Sequence, residues 1–150
     1  CVMTLNEFKE KYNCDIDALE IKRYLPIKEK CATANTLLKK LYEEEEKNCF
    51  MIVRNSVSEE LTYTIEGILH YTNLEISTLD DYDFLKEAGL LDQIISSIGS
   101  DFKEYIRIFL MKADDYAKKI NSVDGVVNRI IKILAGSEEF QELLSLLEKV

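Results

Sequence analysis

At 150 residues, with 47% apolar and 31% charged side chains, the chain can bury a real core without disulfides or metal, and its frequent, periodic apolar residues exclude a disordered chain. Against 19 basic residues stand 28 acidic ones, for a net charge of −9, which disfavours a nucleic-acid backbone as partner because that affinity comes from Lys and Arg set against phosphates. The acidity reads either as self-repulsion that keeps the chain dispersed or as a surface that meets a basic partner or mimics nucleic acid.

The first element is announced by Thr4-Leu5-Asn6-Glu7, a capping box that starts a helix through Phe8 and Tyr12. Asn13 to Asp17 breaks the pattern. Glu20 to Leu25 alternates and ends before Pro26, which favours extended backbone and a small edge strand. Pro26 suits the first turn of a helix whose inner face is Ile27, Cys31, Ala34, Leu37, Leu38 and Leu41. Its end, Glu43, Glu44, Glu45 and Glu46, opposes the helix dipole, so fraying is expected there, with a loop at Lys47 and Asn48. Cys49 to Val53 reads as a short extended segment able to pair with Ile21 to Leu25.

Ser58 opens a further helix with Leu61, Ile65, Ile68 and Leu69 inward and Tyr71 at the flank. After a linker at Asn73 to Ser77, Asp80 or Asp81 caps a helix that Gly89 stops in the left-handed conformation, and Leu90 to Ile98 follows at once. Ser100 caps the longest helix, with a stripe of Phe102, Tyr105, Ile106, Phe109, Leu110, Ala113, Ala117 and Ile120. Ser122 starts a helix whose wide apolar arc (Val126, Val127, Ile130, Ile131, Ile133, Leu134) predicts a central buried position. Ser137 caps the last, with Phe140, Leu143, Leu144 and Leu147 on one face. The expected fold is mainly α, a single compact multi-helix domain over residues 1–150 with room for a minimal two-stranded β patch.

Motifs that carry chemistry are missing. Cys1, Cys14, Cys31 and Cys49 form no CxxC pair and, with one histidine, no zinc signature, so they read as free thiols of a reducing cytoplasm. There is no leader-like start and no apolar run of about 18 residues, so no membrane is expected; Cys1 and Val2, ahead of Met3, read as a remnant or an alternative start. Asp80-Asp81-Tyr82-Asp83 lacks the glycine and distal glutamate of a calcium loop and reads as helix capping. His70 has no evident nucleophile or orienting acid. No catalytic residue, cofactor or metal is predicted.

Contact residues are easier to nominate. Lys22, Arg23, Lys28 and Lys30 make a basic patch around Pro26, which a second copy could meet head to tail with Glu43, Glu44, Glu45 and Glu46. Ile108 and Met111 lie off the main stripe of the long helix, and Leu146 lies off-face in the last one. A helix apolar on two sides is either deeply buried or part of an interface.

The segments LNEFKEKY, IKRYLPIKEK, HYTNLEI, DYDFLKEAGLLDQIISSIG and NSVDGVVNRIIKIL, in that order, resemble small acidic helical proteins encoded by phages and prophages of Gram-positive bacteria. The resemblance covers most of the chain. It implies a non-enzymatic virion or assembly protein, a head–tail or tail-associated factor acting by protein–protein contact or self-association in the host cytoplasm or the virion. The alternative is a phage-encoded inhibitor of host defence, of the anti-CRISPR kind, using an acidic face.

Overall fold

Local signals start most of the helices where the sequence places them. The computed structural model describes residues 1–149, and among them runs a mainly α fold: α1 (Leu5–Glu10), α2 (Ile27–Asn48), α3 (Ser56–Tyr71), α4 (Leu79–Glu87), α5 (Leu90–Ile98), α6 (Ser100–Ile120), α7 (Val123–Ala135) and α8 (Glu138–Glu148), with a 3-10 turn at Ile16–Ala18. Thr4 and Glu7 exchange the two hydrogen bonds of a capping box, each 3.2 Å. The Ser122 and Ser137 hydroxyls accept from Gly125 and Phe140 N–H. At the start of α4 the cap is Thr78, one turn ahead of Asp81, whose carboxylate returns the bond to the Thr78 N–H. Asn55, not Ser58, caps α3, and Gly99, not Ser100, precedes α6.

α2 packs along α6. Lys30 meets Asp101 near their N-terminal ends and Glu46 meets Tyr116 near their C-terminal ends, so the two helices run parallel. One core cluster joins α1, the second half of α3, α4, α5 and the first half of α6, with Phe8, Ile68, Tyr71, Leu85, Ile94 and Phe102 essentially without solvent exposure. Tyr71 stands edge-on to both Phe102 and Tyr105, at centroid distances of 5.5 and 5.9 Å. Gly67 lets α3 approach this aromatic layer: a Cβ there would lie 2.8 Å from ring carbons of Phe102 and Tyr105. The second cluster joins Ala34, Leu37, Leu38 and Tyr42 of α2 to Ile52 and to Phe109, Ala113 and Ile120 of α6. Neither cluster contains a residue of α7 or α8.

Several expectations are corrected. α2 does not fray at its glutamates but continues through Asn48, where the Cys49 N–H still bonds the Glu45 carbonyl at 2.8 Å. Ion pairing of Glu43 with Lys47 and the Tyr116 bond to Glu46 offset the unfavourable dipole. Residues 49–53 do not pair with 21–25. Ile21 instead bridges Thr72 and Met3 bridges Leu74, each as an isolated β-bridge, while Ile52 is held by the Asn121 side-chain amide, which donates to its carbonyl (2.8 Å) and accepts from its N–H (2.7 Å). Tyr71 lies in the core and Leu69 is exposed, because the buried face of α3 runs through Thr64, Gly67, Ile68 and Tyr71. On α6 the buried face is turned toward α2: it takes in Asp101 and Ile108 and leaves Leu110 exposed. The largest correction concerns α7, which is peripheral; Arg129 is its buried residue.

Candidate functional site

The outstanding surface of this chain is the outer face of the C-terminal helix pair. On α7, Val123, Val127, Ile131 and Leu134 recur at spacings of four, four and three, which at 3.6 residues per turn sets them on one stripe. They are 79, 47, 57 and 43% exposed. The opposite side of α7 does the docking: Val126 and Ile133 are half-buried and Arg129 is buried, against α2 and α6. α8 follows α7 after a short turn; Phe140 is half-buried, the helix residues after it are exposed, and no residue of α8 is buried. Leu143, Leu144, Leu146 and Leu147 are 39 to 64% exposed. Together these helices present eight aliphatic side chains to solvent, with Asp124 and Lys132 on α7 and Glu138, Glu139, Glu142 and Glu148 on α8 in the same stretches of sequence.

Arg129 fixes this pair to the body. Its guanidinium donates to three backbone carbonyls: Cys49 (3.1 Å), Ile120 (2.6 Å) and Phe50. The Ile120 carbonyl belongs to the last turn of α6, where the final carbonyls have no helical partner and a cation is electrostatically favoured. The three guanidinium nitrogens, spread over one rigid plane, each take a separate carbonyl. The lone arginine in the middle of an otherwise apolar arc is the sequence signal that identifies it, and it is absent from the contact residues nominated from sequence.

Two buried polar networks brace the frame that carries this face. In the first, Lys30 Nζ donates to Asp101 at 2.6 Å, and Asp101 also accepts from the Tyr71 hydroxyl (2.6 Å) and the Leu25 N–H (2.9 Å). Burial alone would raise the Asp101 carboxyl; the bonds from Lys30, Tyr71 and Leu25 outweigh it and hold the group below the ordinary carboxylate range. In the second, Arg54 grips Glu59 through two nitrogens, at 2.6 and 3.1 Å, while the Tyr42 hydroxyl donates to Glu59 and accepts from the Asn55 N–H. Burial, then the bond to Glu59, pushes the Tyr42 hydroxyl up to about 12. No side-chain polar atom among the described residues is buried without a partner.

The residues nominated from sequence divide. Lys22, Arg23 and Lys28 are exposed, but Lys30 is not part of that patch: it is 1% exposed and committed to Asp101 and Glu104, because a lysine at a helix start next to two carboxylates of α6 gains more from them than from water. Ile108 is likewise no contact residue; it is buried. Met111 is exposed, with its sulfur accepting from Arg107 at 3.3 Å, and Leu146 is exposed as part of the α8 face. Glu43, Glu44, Glu45 and Glu46 stand toward the far end of the 22-residue α2 from the basic patch, about 22–27 Å along the axis from Lys28. Glu46 is taken by Tyr116, Glu43 by Lys47 and Glu44 by the Asn48 amide at 3.5 Å, while Glu45 is half-buried. The structure therefore gathers only Leu146 of the nominated set into the main apolar face.

Concave sites are shallow. A hollow of about 630 Å³ between the Cys14–Asp17 turn and α5 is lined by Asp15, Asp17, Asp92, Gln93 and two serines. A groove of about 480 Å³ lies between α2 and α3, over Leu41, Leu61 and Ile65. His70 faces Glu29 at 3.7 Å across the surface. Among the described residues, no group of three or more His, Cys, Asp or Glu is placed to hold a metal ion, and no helix is long and apolar enough to cross a membrane. Searches against protein-family models, curated proteins and solved structures give no match to this chain.

Proposed function

We propose that this protein works without chemistry of its own, by protein–protein contact made through the α7–α8 face, as a phage virion or assembly component of the head–tail or tail-associated kind. One observation carries the contact reading: two consecutive helices expose eight aliphatic side chains. An apolar patch of that size on a chain of 150 residues is what a contact surface looks like before its partner arrives. The buried ionisable groups of the body fit the same reading, since Lys30 pairs with Asp101 and Glu59 with Arg54. The phage setting rests on the resemblance of the sequence segments alone.

The test follows the tagged chain through phage production. Particles and assembly intermediates are separated on a density gradient, and the chain is located by mass spectrometry. Sedimentation with heads, tails or their precursors is expected, and loss of that sedimentation in Leu143→Glu/Leu147→Glu. A chain that stays at the top of every gradient overturns the assembly reading. Salt-sensitive co-migration with a basic host nuclease instead would replace it with inhibition of host defence.

A further inference from the structure

We propose that the groove between α2 and α3 is a docking site for an amphipathic helix of a protein partner, one whose apolar stripe is bordered by a carboxylate on one side and by a cation on the other. The groove is lined by neither α7 nor α8, so this is a second contact beyond the one assigned to that face.

Shared walls make the groove continuous. Glu29 faces His70 at one end and Tyr42 bonds Glu59 toward the other, so α3 runs antiparallel to α2. The hollow of about 480 Å³ over Leu41, Leu61 and Ile65 and a second of about 240 Å³ beside Thr33 and His70 are both lined by Leu37 and Glu66, so the two adjoin. From Ala32 to Leu41 they extend about 14 Å along α2, and from Ser58 to His70 about 18 Å along α3. That is the length of a helix of about 9 to 12 residues. Leu37 is buried, Leu41, Leu61 and Ile65 are half-buried, and Leu79 at the start of α4 adds an exposed apolar side chain to the lining.

The walls decide the backbone of the occupant. Both are helices, whose main-chain groups bond within themselves and offer a guest no ladder. The described residues hold isolated β-bridges only, so an added strand has no sheet edge to join. An extended peptide in this groove would lose water from its N–H and C=O groups without replacement, whereas a helix brings those bonds with it. Helices that enter such grooves present apolar anchors at i, i+3, i+4 and i+7.

Charge names the borders of the guest. Lys40 on the α2 wall and Glu66 on the α3 wall both line the groove, and neither is in an ion pair among the described residues. An acidic border therefore meets α2 and a basic border meets α3. Turning the guest end for end would set like charge against like, so the two walls select one direction for it.

The experiment uses the full chain and a fluorescein-labelled peptide of about 14 residues, held helical by a side-chain lactam, with leucine at i, i+3, i+4 and i+7, glutamate along one border and lysine along the other. Fluorescence anisotropy at about 50 mM NaCl reads affinity, and amide NMR shifts locate the contact. Binding with shifts centred on Leu41, Leu61 and Ile65 is expected. Lys40→Glu and Glu66→Lys should each weaken it about three- to tenfold. Lys40→Glu/Glu66→Lys should recover most of the loss, because the helix turned end for end again meets opposite charges; a groove merely damaged by the substitutions would not recover. Leu147→Glu on α8 should change nothing. Circular dichroism checks the fold of each variant. Should Glu66→Lys lose helicity, a peptide with lysine on both borders gives the same reading, since it should prefer Lys40→Glu to the parent by a similar factor. Absence of binding up to about 1 mM peptide overturns the proposal. So do shifts confined to α7 and α8, equal affinity for the same peptide with a central proline, which marks an extended occupant, and groove shifts produced by decanoate but not by the peptide, which mark a small amphiphile. None of these results removes the contact reading of α7 and α8.

Discussion

Lys30→Met is the most telling perturbation of the frame. Lys30 is 1% exposed and its ammonium lies 2.6 Å from Asp101. Methionine keeps most of the stem's packing and removes the charge. Removing one member of a buried ion pair costs about 3–5 kcal/mol, because the other charge is left buried. Asp101 keeps two donors, the Tyr71 hydroxyl and the Leu25 N–H, and sits in the first turn of α6, where the helix dipole favours an anion. The lower end of the range applies, so the expected loss is about 3 kcal/mol in urea denaturation at pH 7. For a chain of this length that is a fall in Tm of about 6–12 °C. The pH dependence carries a sign. In the parent the Asp101 carboxyl titrates below its unfolded value, so its contribution is present above about pH 4 and is lost as pH falls through the folded value. Once Asp101 is protonated the parent no longer gains from the pair, and the deficit of Lys30→Met should narrow between pH 5 and pH 3. Lys30→Met/Asp101→Asn should lose less than the sum of the two single variants. A loss under about 1 kcal/mol, or a deficit that stays constant down to pH 3, would refute the account of the pair.

Three further outcomes follow from the same geometry. Gly67→Ala should destabilise by about 1–3 kcal/mol despite alanine's better helix propensity, because its Cβ would press on Phe102 and Tyr105; thermal unfolding checks the sign, and a stabilised variant would mean the aromatic layer yields freely. Arg129→Met should strip hydrogen-exchange protection from α7 and α8 while α3 and α5 stay protected, with a loss of about 2–4 kcal/mol in the docking of the pair; unchanged protection would show that apolar contact alone holds it. Tyr42, with its hydroxyl pushed up to about 12, should keep its proton well beyond an ordinary tyrosine, so its contribution is whole below about pH 10 and declines above it. Tyr42→Phe should flatten that alkaline decline, measured by urea denaturation from pH 8 to 11.

What the sequence discloses here is what neighbours within one turn decide. Thr4 with Glu7, Ser122, Ser137 and the φ of +72° at Gly89 are local devices, and the structure holds each as read. Which side of a helix faces inward is settled elsewhere. Lys30 reads as a solvated charge because its partner lies 71 positions on, and Ile108 reads as off-face because its own helix does not tell which neighbours will cover it. Ile52 carries no sign that the Asn121 amide will bracket it. The apolar arc of α7 shows the limit most plainly. Hydrophobic width reports that a surface is to be covered, not which chain covers it, so a helix that reads as central lies at the rim with half its arc outward.

The three acceptors that hold Arg129 are all main-chain carbonyls, and this makes the joint blind to side-chain identity on one side. Substitutions at Cys49 and Phe50 leave their carbonyls in place, and both side chains are exposed, so in a saturation-mutagenesis map these rows should be permissive. Residue 129 should be a column of losses next to tolerant Asn128, with lysine a poor substitute because it replaces three nitrogens set in a rigid plane, each on its own carbonyl, by one. The C-terminal pair could thus diverge in its outer face, and take on new partners, without the socket that carries it having to change.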